Sequence, residues 1–321
     1  MTQTVPGSGA PAAPRVPPLP AAAFVLVWST GYIAAPLGVD AMAPITLLTW
    51  RFAVAALMLV PLAWVLRGRP RLTRQALLRL SGLGLVLNAL QFGLIYVAFE
   101  QGLGATLGAL LHSLSPVLTA VLAGLVLRER LTRRQVLGFV AGVAGVLVVL
   151  GPDLSGGGGA VALLLGVGSL LSLSLGTLGQ RWTGGVGVDP VWAATVQCAA
   201  AVPPLAVLAL LTEGIAGTVS DPWTALWAVL WIAGVNSVVG LLLLGTLVRR
   251  GGAGASASVF FLMPPVTAVM AFVVLGDTFG VRELVGLVLS VAGVAVATGA
   301  LRRRRPASGP TSGPTSGPTS G

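Results

Sequence analysis

The chain has 321 residues, of which 55% are hydrophobic and only 9% are charged, with a formal net charge of +10. A soluble domain carries about 25% charged residues, so this composition argues against a soluble protein and predicts a membrane protein. Every basic residue is an arginine, which excludes a P-loop lysine and Schiff-base chemistry. Because the arginines lie beside apolar stretches, we expect no nucleic-acid partner.

Ten apolar stretches, numbered here spans one to ten, follow one another along the chain. Each has about 17–25 residues, enough to cross about 30 Å of hydrocarbon as an α-helix. The sequence therefore predicts an all-α integral membrane protein with ten transmembrane helices. The predicted spans are residues 20–38, 44–66, 76–98, 103–127, 134–151, 160–180, 190–211, 223–247, 253–275 and 283–301.

The arginines predict an orientation for these spans. If residue 1 is cytoplasmic, 17 of the 19 arginines fall on the inner side, Arg282 falls outside and Arg51 lies within span two. This positive-inside bias predicts that both termini are cytoplasmic and that the chain lies in the plasma membrane. The inner arginines are Arg15, Arg67, Arg69, Arg71, Arg74, Arg79, Arg128, Arg130, Arg133, Arg134, Arg181, Arg249, Arg250, Arg302, Arg303, Arg304 and Arg305.

The chain contains two copies of a five-span unit. Residues 101–150 and 249–298 align without gaps at an offset of 148, with about 19 identities in 50 positions. Because apolar sequences often match by chance, the matches that involve Pro, Asn and acidic residues carry the argument. They pair Pro116 with Pro264, Asn88 with Asn236, Glu129 with Asp277 and, at an offset of 146, Arg51 with Gln197.

An odd number of spans per copy makes the two copies cross the membrane in opposite directions. The arginines that flank Glu129 inside are replaced by Gly276 and Thr278 around Asp277 outside, as the positive-inside rule requires. Inverted repeats are characteristic of alternating-access carriers, which hold substrate near the midplane. The predicted domains are disordered cytoplasmic tails at 1–19 and 302–321 and five-helix repeats at 20–152 and 159–301.

Three stretches carry a resemblance to a known family: WSTGYIAAPLG (28–38), APITLLTWRF (43–52) and SLSPVLTAVLAGLVLRERLT (113–132). They resemble the drug/metabolite transporter superfamily, in its ten-helix branch built of two EamA repeats, over nearly all of residues 20–301. The second copy departs from the pattern, because Gln197 replaces the arginine. The resemblance implies a secondary transporter that exports amino acids, related metabolites or drugs, and it does not identify the substrate.

Span four holds the single histidine of the chain, His112, one turn before Pro116. Proline leaves the carbonyl four residues earlier, that of His112, without its helical partner, and Pro116 and its match Pro264 are predicted to bend their helices. His112 and Ser115 either line a substrate path with a titratable ring or hydrogen-bond to a neighbouring helix. Phe260 occupies the histidine position in the second copy, so the repeat itself does not require a histidine.

Four further residues are candidates for the substrate site. Trp28 and Tyr32 share one face of span one, and Asn88 and Asn236 are matched amides in spans three and eight. The amides either join helices or face a cavity. We expect a cavity at the repeat interface, walled by spans one, three, four, six, eight and nine, with both asparagines and His112 facing it.

Two charged residues are expected to act structurally. Arg51 lies about 10 Å inside the outer end of span two, where it either neutralises a substrate carboxylate or pairs with Asp40 or Glu100. The ion pair is the favoured interpretation, and Glu129 is also expected to form a structural ion pair. Small residues at helical spacing predict close packing of spans five and ten. They are Gly138, Gly142 and Gly145, which recur as Gly286, Ser290 and Gly293.

Two other functions remain open at this point. The stretch GASAS (254–258) with His112 as a base would suit an intramembrane serine protease, and a passive channel would show neither saturation nor coupling. No clustered aspartates or histidines support a metal enzyme, so we expect no enzyme activity, no metal and no cofactor. The expected partners are a small-molecule substrate and membrane lipids, and a homodimer is left open.

Overall fold

The computed structural model describes residues 18–127, 132–151, 158–182, 187–214, 219–277 and 280–298. The described residues form helices throughout, with an isolated β-bridge between Met42 and Val219. The uninterrupted helices are Pro18–Ala41 (span one), Pro44–Arg67 (two), Arg133–Leu150 (five), Ala160–Trp182 (six), Pro190–Thr212 (seven) and Val281–Thr298 (ten).

Four spans change their helical form along their length. Span three consists of Arg74–Gly84, a π-helix Leu85–Leu90 and Gln91–Glu100, and span four of Ala105–Ser113 and Ser115–Leu127. Span eight consists of Pro222–Leu230, a π-helix Trp231–Val239 and Gly240–Ala257, and span nine of a 3₁₀-helix Ser258–Leu262 and Met263–Val274.

Spans one to eight are long and apolar enough to cross a membrane, and Met263–Val274 of span nine is a shorter apolar helix. Span ten has 18 residues and carries its charges, Arg282 and Glu283, at its first turn. One predicted boundary is wrong: residues 253–257 belong to the helix of span eight and not to span nine. The arginine and glycine run that suggested a break there continues the helix instead.

Prolines and acidic side chains start several of the helices. Pro44, Pro190 and Pro222 lie at the first helical position of spans two, seven and eight, where the missing N–H costs no hydrogen bond. Asp221 accepts from the backbone N–H groups of the first turn of span eight. Glu213 caps span two from another element, accepting from the N–H of Ile45 and Thr46 at 2.7 and 2.8 Å.

Contacts between the described loops join segments that the sequence predicts on the same side. On the predicted inner side the Arg67 guanidinium lies 3.1 Å from the Asp189 carboxylate, and Trp192 donates to the Gly68 carbonyl. On the predicted outer side the Ser220 hydroxyl donates to the Asp40 carbonyl at 3.0 Å. These contacts agree with the predicted crossing directions of the spans.

The two repeats exchange their first helices. Span one packs mainly against spans eight and nine of the second repeat, and span six packs mainly against spans three and four of the first. The interior of the protein is therefore lined by helices from both copies. This arrangement brings residues from both repeats together near the interruption of span four.

Spans five and ten pack closely against each other, as the small residues predicted. A Cβ atom added to Gly145 would lie 2.5 Å from the Gly286 carbonyl oxygen, and one added to Gly138 would lie 2.4 Å from that of Gly293. A Cβ atom added to Gly286 would lie 2.6 Å from the Gly145 carbonyl oxygen, and one added to Gly293 would lie 2.7 Å from that of Gly138. Both helices therefore need glycine at these positions.

Candidate functional site

Span four is interrupted at Leu114, between His112 and Pro116. Pro116 is the second residue of the helix that restarts at Ser115, where its missing N–H is tolerated. Pro264 is likewise the second residue of the helix of span nine, after the 3₁₀ turn. Both prolines therefore lie in the first turn of a helix at repeat-equivalent places, and the bending of these helices by the prolines stays a prediction.

A cluster of polar side chains surrounds His112 at this interruption. The Nδ1 atom of His112 lies 2.8 Å from the hydroxyl of Tyr32 in span one, and its Nε2 atom lies 2.8 Å from the hydroxyl of Ser169 in span six. Gln91 of span three adds its amide nitrogen, 3.4 Å from Nε2. We call these four residues the His112 cluster. It joins helices from both repeats.

The hydrogen bonds of the cluster define a consistent tautomer. Ser169 is fully buried and donates its single proton to the backbone carbonyl of Gln91 at 2.8 Å. Its oxygen therefore accepts from His112, which places the imidazole proton on Nε2 and lets Nδ1 accept from the Tyr32 hydroxyl. Because three of the four side chains can exchange donor and acceptor roles, the cluster can trade internal bonds for bonds to a polar molecule.

The equivalent place in the second repeat is aromatic. Phe260 packs edge-on against Phe24 and Trp28 of span one, with ring centroids 5.3 and 6.1 Å away. Trp28 therefore faces Phe260, whereas Tyr32, one turn further along the same face, faces His112. The two predicted site residues of span one are divided between the two halves of the protein.

The matched asparagines lie in the two π-helices, at equivalent places of spans three and eight. Asn236 is buried and donates to the backbone carbonyl of Val27 at 2.6 Å, whereas the Asn88 amide, within the described part of the chain, donates only to the sulfur of Cys198, at 3.9 Å. π-Helical turns are frequent at functional sites. Asn236 holds span one against span eight, and its Oδ1 atom is buried without a partner.

Ser115 is buried at the junction of spans four and six and accepts from the hydroxyl of Ser174 at 3.2 Å. Ser174 also lies 3.5 Å from the carbonyl of Ser115, and Ser29 of span one lies 3.4 Å from the carbonyl of Met263. Ser115 and Met263 are separated by the repeat offset of 148. In both halves, the first helix of one repeat holds the interruption in the fourth helix of the other.

Arg51 does not form the expected ion pair with Asp40 or Glu100. It is only 6% exposed, its Nη1 atom donates to the hydroxyl of Tyr96 at 2.9 Å, and its guanidinium carbon lies 4.0 Å from the ring centre of Phe92. Both acids are exposed, and neither forms an ion pair with Arg51 among the described residues. Contact with an aromatic face offsets about 2 kcal/mol of the cost of burying a cation, which is several kcal/mol.

The predicted site residues lie outside one groove formed by the described residues. A groove of about 490 Å³ lies between spans three and six, at the repeat interface, and its walls are mostly leucine and glycine, with Arg79 at the inner end. Asn88, His112 and Asn236 are not among its lining residues. All three instead contact neighbouring helices, so they form separate polar points within the helix bundle.

Sequence reasoning missed Gln91, Ser169 and Tyr96. Gln91 has Val239 at its repeat-equivalent position, so the repeat gave no reason to single it out, and Ser169 lies in a run of Leu and Ser that suggests packing. A glutamine one turn from Asn88 on an apolar helix was the available signal. Glu129, residues 1–17 of the predicted N-terminal tail and the predicted tail at 302–321 lie outside the described residues.

Comparison with known proteins gives one family and several relatives. A model of the EamA-like transporter family matches residues 19–151 and 160–299. A probable amino-acid metabolite efflux pump of Salmonella typhimurium is 28% identical, over 88% of this chain and 95% of that protein. The uncharacterized transporter YyaM of Bacillus subtilis is 30% identical, over 79% of this chain and 84% of that protein.

Two further similarities extend this comparison. A probable terminal-alkyne amino-acid exporter of Streptantibioticus cattleyicolor is 29% identical, over 88% of this chain and 94% of that protein. A solved crystal structure superposes with a TM-score of 0.62 at 21% identity, covering 88% of this chain and 96% of that chain. At that identity, the structural match supports the fold alone.

Proposed function

We propose that this chain, which belongs to the EamA-like transporter family, exports amino acids or related small metabolites from the cytoplasm by alternating access. The substrate class and the outward direction rest on its relatives, which include probable amino-acid exporters. The two inverted five-helix repeats suit a carrier whose substrate site lies between them.

The His112 cluster is the observation that carries this proposal. Four polar side chains from spans one, three, four and six meet beside an interrupted helix, in a bundle whose interior is mostly apolar. Polar groups in a membrane interior are costly and are usually functional. As the helices move, a substrate amino or carboxyl group can form a hydrogen bond with the cluster in place of an internal one. This bond offsets the free-energy cost of removing the substrate group from water.

An enzyme is the weaker proposal. His112 and Ser169 lie at the distance of a serine–histidine pair, but Ser169 is fully buried and donates its proton to the Gln91 carbonyl. Both ring nitrogens of His112 are engaged within the cluster, so neither is free to serve the GASAS stretch. Serine-hydrolase probe labelling of the purified protein should therefore give no modified serine.

We also propose a plasma-membrane location with both termini cytoplasmic, bilayer lipids around the bundle, and no enzymatic cofactor. Single cysteines at exposed loop positions test the orientation, because the native Cys198 is buried. A membrane-impermeant maleimide added to intact cells should label Ser220→Cys and spare Arg71→Cys. The opposite result would invert the topology. A homodimer stays a prediction.

Counterflow in liposomes tests the function directly. The purified protein is reconstituted in liposomes that are loaded with an unlabelled amino acid, purine or cationic drug. Uptake of the same compound in labelled form is then followed. A carrier gives transient accumulation that saturates for at least one amino acid. A passive channel gives equilibration without accumulation, and accumulation of drugs or purines alone would remove amino acids as the substrate class.

A further inference from the structure

Arg51 is a buried cation without a carboxylate partner in the described part of the chain. The ion pairs formed there are Arg67 with Asp189 and Arg282 with Glu283, so Arg51 belongs to neither. Its Nε atom is also buried and donates to no described atom. A buried charge normally has an opposite charge beside it, because water no longer solvates it.

The surroundings of Arg51 hold the guanidinium in place without neutralising it. Tyr96 accepts from Nη1, and the rings of Phe92 and Phe52 lie 4.0 and 5.0 Å from the guanidinium carbon. These contacts leave the Nε–H group as an oriented donor. A fixed donor with a full positive charge is the arrangement that recognises a carboxylate.

Arg51 also lies where the two repeats meet, because span two packs along span seven of the second repeat. Phe92, whose ring centre is 4.0 Å from the guanidinium carbon, directly follows Gln91 of the His112 cluster in span three. The position equivalent to Arg51 in the second copy is Gln197, which is neutral.

We propose that Arg51 is the binding residue for the substrate's carboxylate, which accepts from Nε–H when movement of the repeats opens the site. This inference rests on the proposed export of amino acids and narrows it to substrates with a free carboxylate. The apolar and aromatic walls around the guanidinium exclude water, so the charge-assisted hydrogen bond is strong there. The rest of the substrate faces the His112 cluster.

Competition with amides separates this role from a structural one. Wild type and Arg51→Gln are reconstituted in liposomes, and counterflow is measured with L-leucine, L-threonine, L-cysteine and L-phenylalanine and with the carboxamide of each. The wild type should prefer the acid over its amide by about 10- to 100-fold in half-saturation concentration, the effect of one hydrogen bond to a charged group. Arg51→Gln should lose this preference by weakening transport of the acid only.

Two further variants keep the test decisive. Arg51→Lys retains the charge, so it should stay folded and raise the half-saturation concentration for the acid by a smaller factor than Arg51→Gln, with the amide unchanged. Arg67→Gln removes an arginine at the inner end of the same helix and should keep the preference. If Arg51→Gln fails to fold, the acid-over-amide preference of Arg51→Lys decides whether Arg51 binds the carboxylate.

Equal transport of acid and amide by the wild type, or a preference that survives in the Arg51 variants, would overturn the inference and leave amino-acid transport standing. A loss of acid and amide transport to the same extent would also overturn it, because that marks a structural role. If the wild type transports none of the four amino acids, the proposed function fails first.

Discussion

The environment of His112 in the first repeat differs in chemistry from the environment of Phe260 in the second. Both residues lie just before an interrupted helix, and both face span one. His112 contacts Tyr32 and Ser169 through hydrogen bonds, whereas Phe260 contacts aromatic rings. The repeat therefore preserves the position of the helix interruption, while the side chains before it have diverged.

The same asymmetry holds at Arg51 and Gln197, which are matched in sequence but differ in charge. The polar side chains around His112 come from both repeats, with Ser169 from the second, whereas the cluster around Phe260 is aromatic. Under the proposed function, the two halves therefore meet a polar substrate with different side chains.

We expect the largest effect in the packing of spans five and ten, where the two repeats have kept small residues. Gly145→Ala places a Cβ atom 2.5 Å from the Gly286 carbonyl, so the helices must separate. Overpacking costs about 1–3 kcal/mol. Thermal unfolding in detergent should show a clear loss of stability and a loss of monodisperse protein.

Gly93→Ala is the matched control, because nothing lies within 4 Å of a Cβ atom added there. It should be neutral or stabilising by up to about 1 kcal/mol from helix propensity. Equal losses in both variants would mean that the glycines of spans five and ten do not form a close contact.

A smaller effect distinguishes the matched asparagines. Asn236→Ala removes a 2.6 Å bond to the Val27 carbonyl in a buried site and should cost about 1–2 kcal/mol. Asn88→Ala loses only a long contact to sulfur and should cost about 0.6 kcal/mol or less. Thermal unfolding of the two variants measures the difference, and equal costs would show that the asparagines act alike.

The smallest effect concerns Asp277, the outer counterpart of Glu129. Desolvation raises the pKa of this partly buried carboxyl above its ordinary value, so the folded state favours the protonated form. Its contribution to stability is present below the ordinary aspartate pKa and is lost as the pH rises through the raised value. Asp277→Asn should therefore unfold at a slightly higher temperature than wild type at pH 7, with the gap narrowing toward about pH 4.

Thermal scans across this pH range check that prediction. Asp221→Asn is the opposite control, because hydrogen bonds from Thr224 lower the pKa of Asp221 and its stabilisation is lost as the pH falls. If Asp277→Asn followed the wild type at every pH, the carboxyl would be solvated like any surface acid.

The spans themselves could be predicted from the sequence, because long apolar runs bounded by proline, glycine and arginine have few alternatives in a bilayer. The predicted start of span two at 44 and of span seven at 190 agree with Pro44 and Pro190. The family, the all-helical fold and the close packing of spans five and ten were predicted correctly. The end of span eight was predicted wrongly, because the helix continues through the arginine and glycine run that was expected to break it.

The site could be predicted only in part. His112 and Tyr32 were identified separately from their polarity in apolar helices, and the structure brings them to 2.8 Å. Their partners Gln91 and Ser169 depend on the exchange of first helices between repeats, which no local pattern reveals. Arg51 was expected to reach the rim acids, but Tyr96 and Phe92 hold its guanidinium in the interior.

Counterflow with His112→Phe and Phe260→Leu tests the central claim that the His112 cluster binds the substrate. His112→Phe puts the residue of the second copy into the first and removes the hydrogen bonds to Tyr32 and Ser169, so amino-acid counterflow should fall by about 10-fold or more while the protein remains folded. Phe260→Leu keeps an apolar side chain and should stay within about twofold of wild type. Wild-type rates in His112→Phe, or equal losses in both variants, would contradict the account.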